Sequence, residues 1–122
     1  MAATIRVAGV QMEPMLGQVE RNLGRIISGL EHAASGGAKL AVFPECALSG
    51  YGFESREAGE AHAVAVDGPE IAAVAEVARA TGCGCIFGLL EKDGDRLYNA
   101  CALVGPEGIV GTYRKIHLPY LG

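Results

Sequence analysis

Apolar positions in residues 3–44 predict a strand, a helix and a second strand. Residues 3–12, ATIRVAGVQM, are rich in the β-branched and apolar side chains that strands favour. Residues 17–37 place apolar side chains three and four positions apart, which is the spacing of one helix face. These positions are Val19, Leu23, Ile26, Ile27, Leu30 and Ala34. Residues 39–44, KLAVFP, form the short, almost wholly apolar run that is typical of a buried parallel strand. The chain therefore opens with the pattern of a βαβ unit.

Two more helices are predicted in the middle of the chain. Residues 44–56 are expected to be a loop, and the pattern favours a short helix around 57–63. A longer helix is predicted over 67–82, with Asp67 or Gly68 as its N-terminal cap. Its buried stripe would consist of Ile71, Val74, Ala75 and Ala78.

Strands are predicted again in the last third of the chain, over 83–91, over 96–105 and from 109 onward. The first two would form a hairpin with Asp93-Gly94 at the centre of its turn, and a second turn would follow over 106–108. The whole pattern is that of an α/β fold. It predicts a βαβ unit followed by an antiparallel meander, with helices covering one face of the sheet.

The composition is that of a soluble globular domain, since 50% of the 122 residues are apolar and 20% are charged. The net charge is −4 and no basic stripe is present, which argues against a nucleic-acid partner. No secretory leader is recognisable, and no run approaches the ~20 apolar residues of a membrane helix. We therefore expect a cytoplasmic protein without a membrane partner. The cysteines are expected to be reduced and mostly buried; they are Cys46, Cys83, Cys85 and Cys101.

Glu45 is the first candidate for chemistry, because it is a single carboxylate placed directly after a predicted buried strand. Functional groups of open α/β sheets gather where strands end. A partly buried carboxylate at such a place can act as a general base. The alternative is a solvated loop acid or a helix cap, and the loop sequence alone leaves both open.

Lys115 lies at the end of the last predicted strand, in the segment YRKIHLP. An ammonium group there could stabilise a developing oxyanion, or it could be an ordinary surface charge. His117 could be a base or a structural histidine. If this segment is extended, Lys115 and His117 share one face while Arg114 points away.

No cofactor or metal ion is expected. The segment GCGCIFG, residues 82–88, imitates a phosphate-binding glycine loop, but a helix precedes it and a strand follows it. The dinucleotide motif requires the opposite order. The three histidines, at positions 32, 62 and 117, lack the spacing of metal ligands.

Two segments together resemble the first two signatures of the nitrilase superfamily, the carbon–nitrogen hydrolases. They are VFPECALSGY, residues 42–51, and YRKIHLP, residues 113–119. Further similarity lies in IRVAGVQMEP near the start, in residues 22–45, and in the hairpin LYNACALVGPEGIVGT that leads to Lys115. The resemblance covers essentially the whole chain.

The resemblance implies the N-terminal half of a four-layer α-β-β-α sandwich. Enzymes of the superfamily cleave non-peptide carbon–nitrogen bonds of nitriles, amides and carbamoyl compounds with a glutamate, a lysine and a cysteine. Carried over, Glu45 would be the general base, Lys115 would stabilise the tetrahedral intermediate, and Tyr51 would lie near the substrate. A small-molecule amide or nitrile substrate and a homo-oligomer are implied as well. The segment YRKIHLPYLG resembles amidases more than true nitrilases.

The chain departs from the family pattern at the nucleophile, which should follow the lysine by a few tens of residues. Residues 1–122 would then form a partial domain, truncated before the nucleophilic cysteine and inactive alone. The cysteines at positions 46, 83, 85 and 101 do not match the nucleophile motif. The alternative is a short protein without a nucleophile that binds small molecules or regulates a partner.

Overall fold

Five strands form one sheet in chain order in the computed structural model, which describes residues 2–119. They are β1 (Val7–Gly9), β2 (Leu40–Val42), β3 (Gly84–Asp93), β4 (Arg96–Gly105) and β5 (Gly108–Arg114). The first three strands run parallel, and β4 and β5 continue the sheet in antiparallel fashion. The predicted α/β class, with a βαβ unit followed by a meander, is confirmed.

The helices are α1 (Val19–Ser35), α2 (Arg56–Glu60) and α3 (Pro69–Thr81). Gly68, rather than Asp67, is the N-terminal cap of α3, and Pro69 opens the helix, where its missing N–H costs nothing. Gly82 ends α3 in the left-handed conformation, with φ 73°. Among the helices described for residues 2–119, none is long and apolar enough to cross a membrane.

The core lies between the sheet and the two longer helices. Alternate residues of β3, Phe87 and Leu89 among them, are fully buried and belong to one cluster with Ile26 of α1 and Val74 of α3. Each such side chain contributes about 1.5–3 kcal/mol through burial. The opposite face of the sheet is open, and Tyr113 of β5 is exposed there. Residues 2–119 thus form one helix layer on one sheet layer.

Several boundaries differ from the sequence predictions; α2, for example, ends at Glu60 and not near residue 63. The β3–β4 ladder closes with the pair Asp93–Arg96, so Gly94 and Asp95 form the centre of the turn instead of Asp93 and Gly94. Strand β1 is much shorter than the predicted range 3–12, because its partner β2 pairs over only three residues. Pro44 has no N–H with which to extend that ladder.

The cysteines are all free thiols, and all except Cys101 are buried. This agrees with the prediction of reduced, mostly buried cysteines.

Candidate active site

Glu45 is held at the end of β2 by a close approach of two backbone segments. The N–H groups of Phe43 and Leu48 donate to carbonyl groups of β3, and Gly88 of β3 donates to the carbonyl of Pro44 at 3.2 Å. A Cβ on Gly88 would lie 2.7 Å from Pro44 O and 2.8 Å from the carbonyl carbon of Glu45, well inside contact distance. Only glycine at position 88 therefore allows the Glu45 loop to lie against the sheet.

The residue after Glu45 turns the chain sharply. Cys46 has φ 49°, and within residues 2–119 no other non-glycine residue has a positive φ. Such a conformation is uncommon outside glycine and is found at tight turns and functional sites. The Cys46 carbonyl accepts a hydrogen bond from Gly50 N–H at 2.8 Å, which closes the turn. The strained turn directs the Glu45 carboxylate away from the loop.

Lys115 reaches Glu45 from the other side of the site. It follows the last residue of β5, and its N–H donates to the carbonyl of Asn99 on β4 at 2.8 Å. Its Nζ donates to Glu45 Oε1 at 2.6 Å, although the two residues are 70 positions apart. The two charged side chains therefore converge on one place, as an enzyme that uses both of them in one reaction would require.

Asn99 completes the constellation and was missed by the sequence analysis. Its Nδ2 donates to the same Glu45 Oε1 at 2.8 Å. Its Oδ1 accepts a weak hydrogen bond from Cys46 Sγ at 3.8 Å. The available signal was the alternation of β4, since Tyr98 and Ala100 share one face and place Asn99 on the other, beside the strand ends.

Electrostatics keep both members of the pair charged. The hydrogen bond from Lys115, followed by the one from Asn99, holds the pKa of the Glu45 carboxyl below its usual value, and burial opposes this only in part. The hydrogen bond to Glu45 raises the pKa of the Lys115 ammonium in return. Because the side chains are 47% and 38% exposed, solvent screens the pair and its effect on stability is small. The site therefore presents the ionised Glu45 carboxylate and the Lys115 ammonium group side by side.

One cavity is lined by this pair, and a second lies next to it beyond Asn99. The smaller one, about 240 Å³, opens on the free face of the sheet and is lined by Glu45, Lys115, Cys101 and Tyr113. The larger one, about 550 Å³, includes Tyr51, and Asn99 lies between the two. The second has mainly aromatic and aliphatic walls; among them are Phe53, Leu90, Leu97, Tyr98 and Leu118. Polar side chains, including Glu54 and Arg56, complete its lining, and a largely apolar cavity with some polar groups is typical of small-molecule sites.

The two charged or titratable neighbours of Lys115 in the sequence, Arg114 and His117, lie elsewhere. Arg114 points to the helix-covered side of the sheet, as the alternation predicted, and its guanidinium holds buried Glu91 with two hydrogen bonds of 3.0 and 2.6 Å. It also bonds Asp93 and lies 3.8 Å over the Tyr98 ring. His117 is exposed and makes none of the hydrogen bonds described for residues 2–119. The structure therefore brings together Glu45 and Lys115, and leaves His117 outside.

Comparison with known proteins identifies the family. The family model for carbon–nitrogen hydrolases matches residues 6–121. A nitrilase of Pyrococcus abyssi is 42% identical over 119 residues, which are 95% of this chain and 45% of that protein. An omega-amidase of Danio rerio is 38% identical over 99 residues, covering 80% of this chain and 35% of the relative. The chain thus spans less than half the length of these relatives.

Solved structures share the fold. An N-terminal amidase superposes with a TM-score of 0.81 at 27% identity, over 96% of this chain and 29% of that chain. A protein of Xanthomonas campestris described as a CN-hydrolase superfamily member superposes with a TM-score of 0.79 at 26% identity, over 93% of this chain and 41% of the other. The resemblance predicted from the two signatures is confirmed, and the chain belongs to the carbon–nitrogen hydrolase family.

Proposed function

We propose that Glu45 and Lys115 act in the hydrolysis of non-peptide carbon–nitrogen bonds, as general base and as stabiliser of the tetrahedral intermediate. The observation that supports this proposal is the 2.6 Å contact between Lys115 Nζ and Glu45 Oε1 at the ends of two different strands. Neither group is needed by the core, and both face a cavity. Asn99 also donates a hydrogen bond to Glu45 Oε1, which is more than an ordinary surface ion pair requires.

The chemistry requires a thiol near the pair. Glu45 takes the thiol proton, and the thiolate attacks the carbonyl or nitrile carbon. Negative charge develops on the former carbonyl oxygen or nitrile nitrogen, and the Lys115 ammonium stabilises it. For an amide, protonated Glu45 returns its proton to the leaving nitrogen. It then accepts a proton from the water that cleaves the thioester.

We propose that the nucleophilic cysteine is not among residues 1–122. Burial, and then the charge of Glu45, raise the pKa of the Cys46 thiol to about 11, which makes this thiol harder to deprotonate than an ordinary one. Burial likewise raises the pKa of Cys85 to about 12, and this thiol lies in the core under the helices. None of the four cysteines matches the nucleophile motif of the family, including Cys101, which lines the small cavity, so the 122-residue chain alone is expected to be inactive.

The substrate would be a small amide, nitrile or carbamoyl compound. The larger cavity, which includes Tyr51, offers an apolar surface to the part of the substrate next to the cleaved bond. The relatives include both nitrilases and omega-amidases, and we favour an amide on the strength of the YRKIHLPYLG segment. A cytoplasmic homo-oligomer belongs to the same proposal.

The test is an assay of two preparations on a primary amide, a nitrile and a carbamoyl amine. One is the purified 122-residue chain, and the other is the protein isolated from its source, with its length determined by intact mass. Turnover in a longer native protein and none in the 122-residue chain is expected. Robust turnover by the 122-residue chain, lost on Glu45→Gln, would contradict the missing nucleophile. Cys101→Ser and Cys46→Ser would then locate the thiol.

A binding or regulatory module remains the second candidate. It is favoured by the cavity of about 550 Å³, which could hold a small molecule without any reaction taking place. A native mass that matches 122 residues, together with binding but no turnover of the three compounds, would support it.

A further inference from the structure

We propose that Asn99 is a positioning residue, which fixes the Glu45 carboxylate against Lys115 and reserves its second oxygen, Oε2, for the transferred proton. This inference rests on the proposed function of Glu45 and Lys115. It assigns a role to a residue that neither of the two signature segments contains.

Asn99 contacts both members of the pair through different groups. Its side-chain Nδ2 donates to Glu45 Oε1 at 2.8 Å. Its main-chain carbonyl accepts from Lys115 N–H at 2.8 Å. One residue of β4 therefore sets the position of the carboxylate and of the backbone from which the ammonium extends. A shift of Asn99 would move both groups at once.

The orientation of the Asn99 amide follows from its neighbours. The carboxylate of Glu45 accepts only, so the NH₂ end of the amide must face it. The carbonyl end then faces the Cys46 thiol, which donates to Oδ1 across 3.8 Å. A reversed amide would place two acceptor oxygens against each other. Aspartate at this position would set two carboxylates together, and leucine would supply no donor.

The contacts make the two oxygens of Glu45 unequal. Lys115 and Asn99 both donate to Oε1, at 2.6 and 2.8 Å. Among the hydrogen bonds described for residues 2–119, none reaches Oε2. Two donors, one of them charged, lower the proton affinity of Oε1. The thiol proton would therefore be accepted at Oε2, and Asn99 keeps that oxygen turned away from Lys115.

The contacts of the Asn99 side chain point to the site and not to the fold. Its described hydrogen bonds go to Glu45 and Cys46 alone, and the residue is half-buried and outside the core cluster. The buried Asn22 shows the contrast, because it bonds Met15 and Leu48 and so ties two loops to α1. Loss of the Asn99 side chain should consequently affect Glu45 more than folding.

The first experiment follows the Glu45 carboxyl carbon by NMR during a pH titration of the 122-residue chain. Asn99→Leu, which is similar in size and lacks a donor, is expected to move the titration of Glu45 to higher pH. Asn99→Asp should move it further in the same direction. Thr112→Val is the matched control, since it removes a polar group from an exposed position of β5. An unchanged titration in Asn99→Leu would overturn the proposal.

The second experiment uses the native hydrolase at its full length. Asn99→Leu is expected to lower kcat by up to about 10²-fold, as small misplacements of catalytic groups do. The acid limb of kcat/KM should move to higher pH, a change that a merely structural role would not produce. If Asn99→Leu fails to fold, Asn99→Gln replaces it, because it keeps the amide but displaces it by one methylene. Normal kcat and an unmoved acid limb in the folded variant would contradict the role.

The two proposals fail separately. If Glu45→Gln leaves turnover unchanged, the proposed function is wrong whatever the titration of Glu45 shows. If Glu45→Gln abolishes turnover but Asn99→Leu moves neither the titration nor the acid limb, only the role of Asn99 is wrong.

Discussion

Lys115 Nζ lies 2.6 Å from Glu45 Oε1, across 70 positions of sequence. The contact joins the ends of β2 and β5, strands that are not neighbours in the sheet. It depends on β3 and β4 between them, through the close approach at Gly88 and the hydrogen bonds of Asn99. The sheet thus holds the Glu45 carboxylate and the Lys115 ammonium group together.

Lys115→Met should reduce kcat/KM of the native protein by about 10²-fold or more, because it removes the charge that we propose stabilises the tetrahedral intermediate. Lys115→Arg should retain part of the activity if charge alone matters. Lys92→Met is the control, since Lys92 is an exposed lysine of β3 that pairs with Glu60. Equal activities of Lys115→Met and Lys92→Met would show that Lys115 is only a surface charge.

The free energy of unfolding should depend on pH in the direction that the shifted pKa values of Glu45 and Lys115 predict. The folded-state pKa of Glu45 is depressed, so its contribution to the free energy of unfolding is present above the ordinary carboxyl value of 4.5 and is lost as pH falls below it. The pKa of Lys115 is raised, so its contribution is present below the ordinary value of 10.5 and disappears as pH rises beyond it. Denaturant unfolding of wild type and Lys115→Met at several pH values tests this. Parallel curves for the two proteins below pH 5 would contradict the depressed pKa.

Gly88→Ala should displace the Glu45 loop, because the new Cβ would meet Pro44 O at 2.7 Å. We expect a loss of about 1–3 kcal/mol in the free energy of unfolding, the usual cost of overpacking. Turnover by the native protein should fall as well. Gly111→Ala on β5 is the matched control, since its Cβ would enter open space. A Gly88→Ala protein as stable and as active as Gly111→Ala would show that the close approach is unimportant.

Arg114→Met should lower the melting temperature more than the surface substitution Arg79→Met. Removal of Arg114 leaves the nearly buried Glu91 carboxylate without its two hydrogen bonds, whereas the Arg79–Glu76 pair is exposed on both sides. Differential scanning calorimetry of both variants measures the difference. Indistinguishable melting temperatures would contradict the claim that Arg114 stabilises the nearly buried Glu91 carboxylate.

The sequence predicted the parts of the fold that depend on local pattern. The apolar spacing of α1 and α3 is a local pattern, and both helices were predicted from it. The turn at Gly94-Asp95 was misplaced by one residue, because the register of a hairpin is fixed by pairing along both strands. The length of β1 was overestimated because its parallel partner β2 pairs with it over only three residues.

The site was predicted in part. Glu45 and Lys115 were found from their positions at strand ends and from the resemblance. Asn99 was missed, although the alternation of β4 contained a usable signal. Gly88 and the Arg114–Glu91 pair could not be found, because each depends on which backbone or side chain approaches from a distant segment.

The most direct test of the central claim is the kcat/KM of the native hydrolase on its best amide or nitrile substrate, compared between wild type and Glu45→Gln. Glutamine keeps the shape of the side chain but cannot accept the thiol proton. We predict a loss of at least about 10²-fold, the scale of general-base catalysis, with an unchanged melting temperature. Equal kcat/KM values for the two folded proteins would contradict the claim that Glu45 is the base.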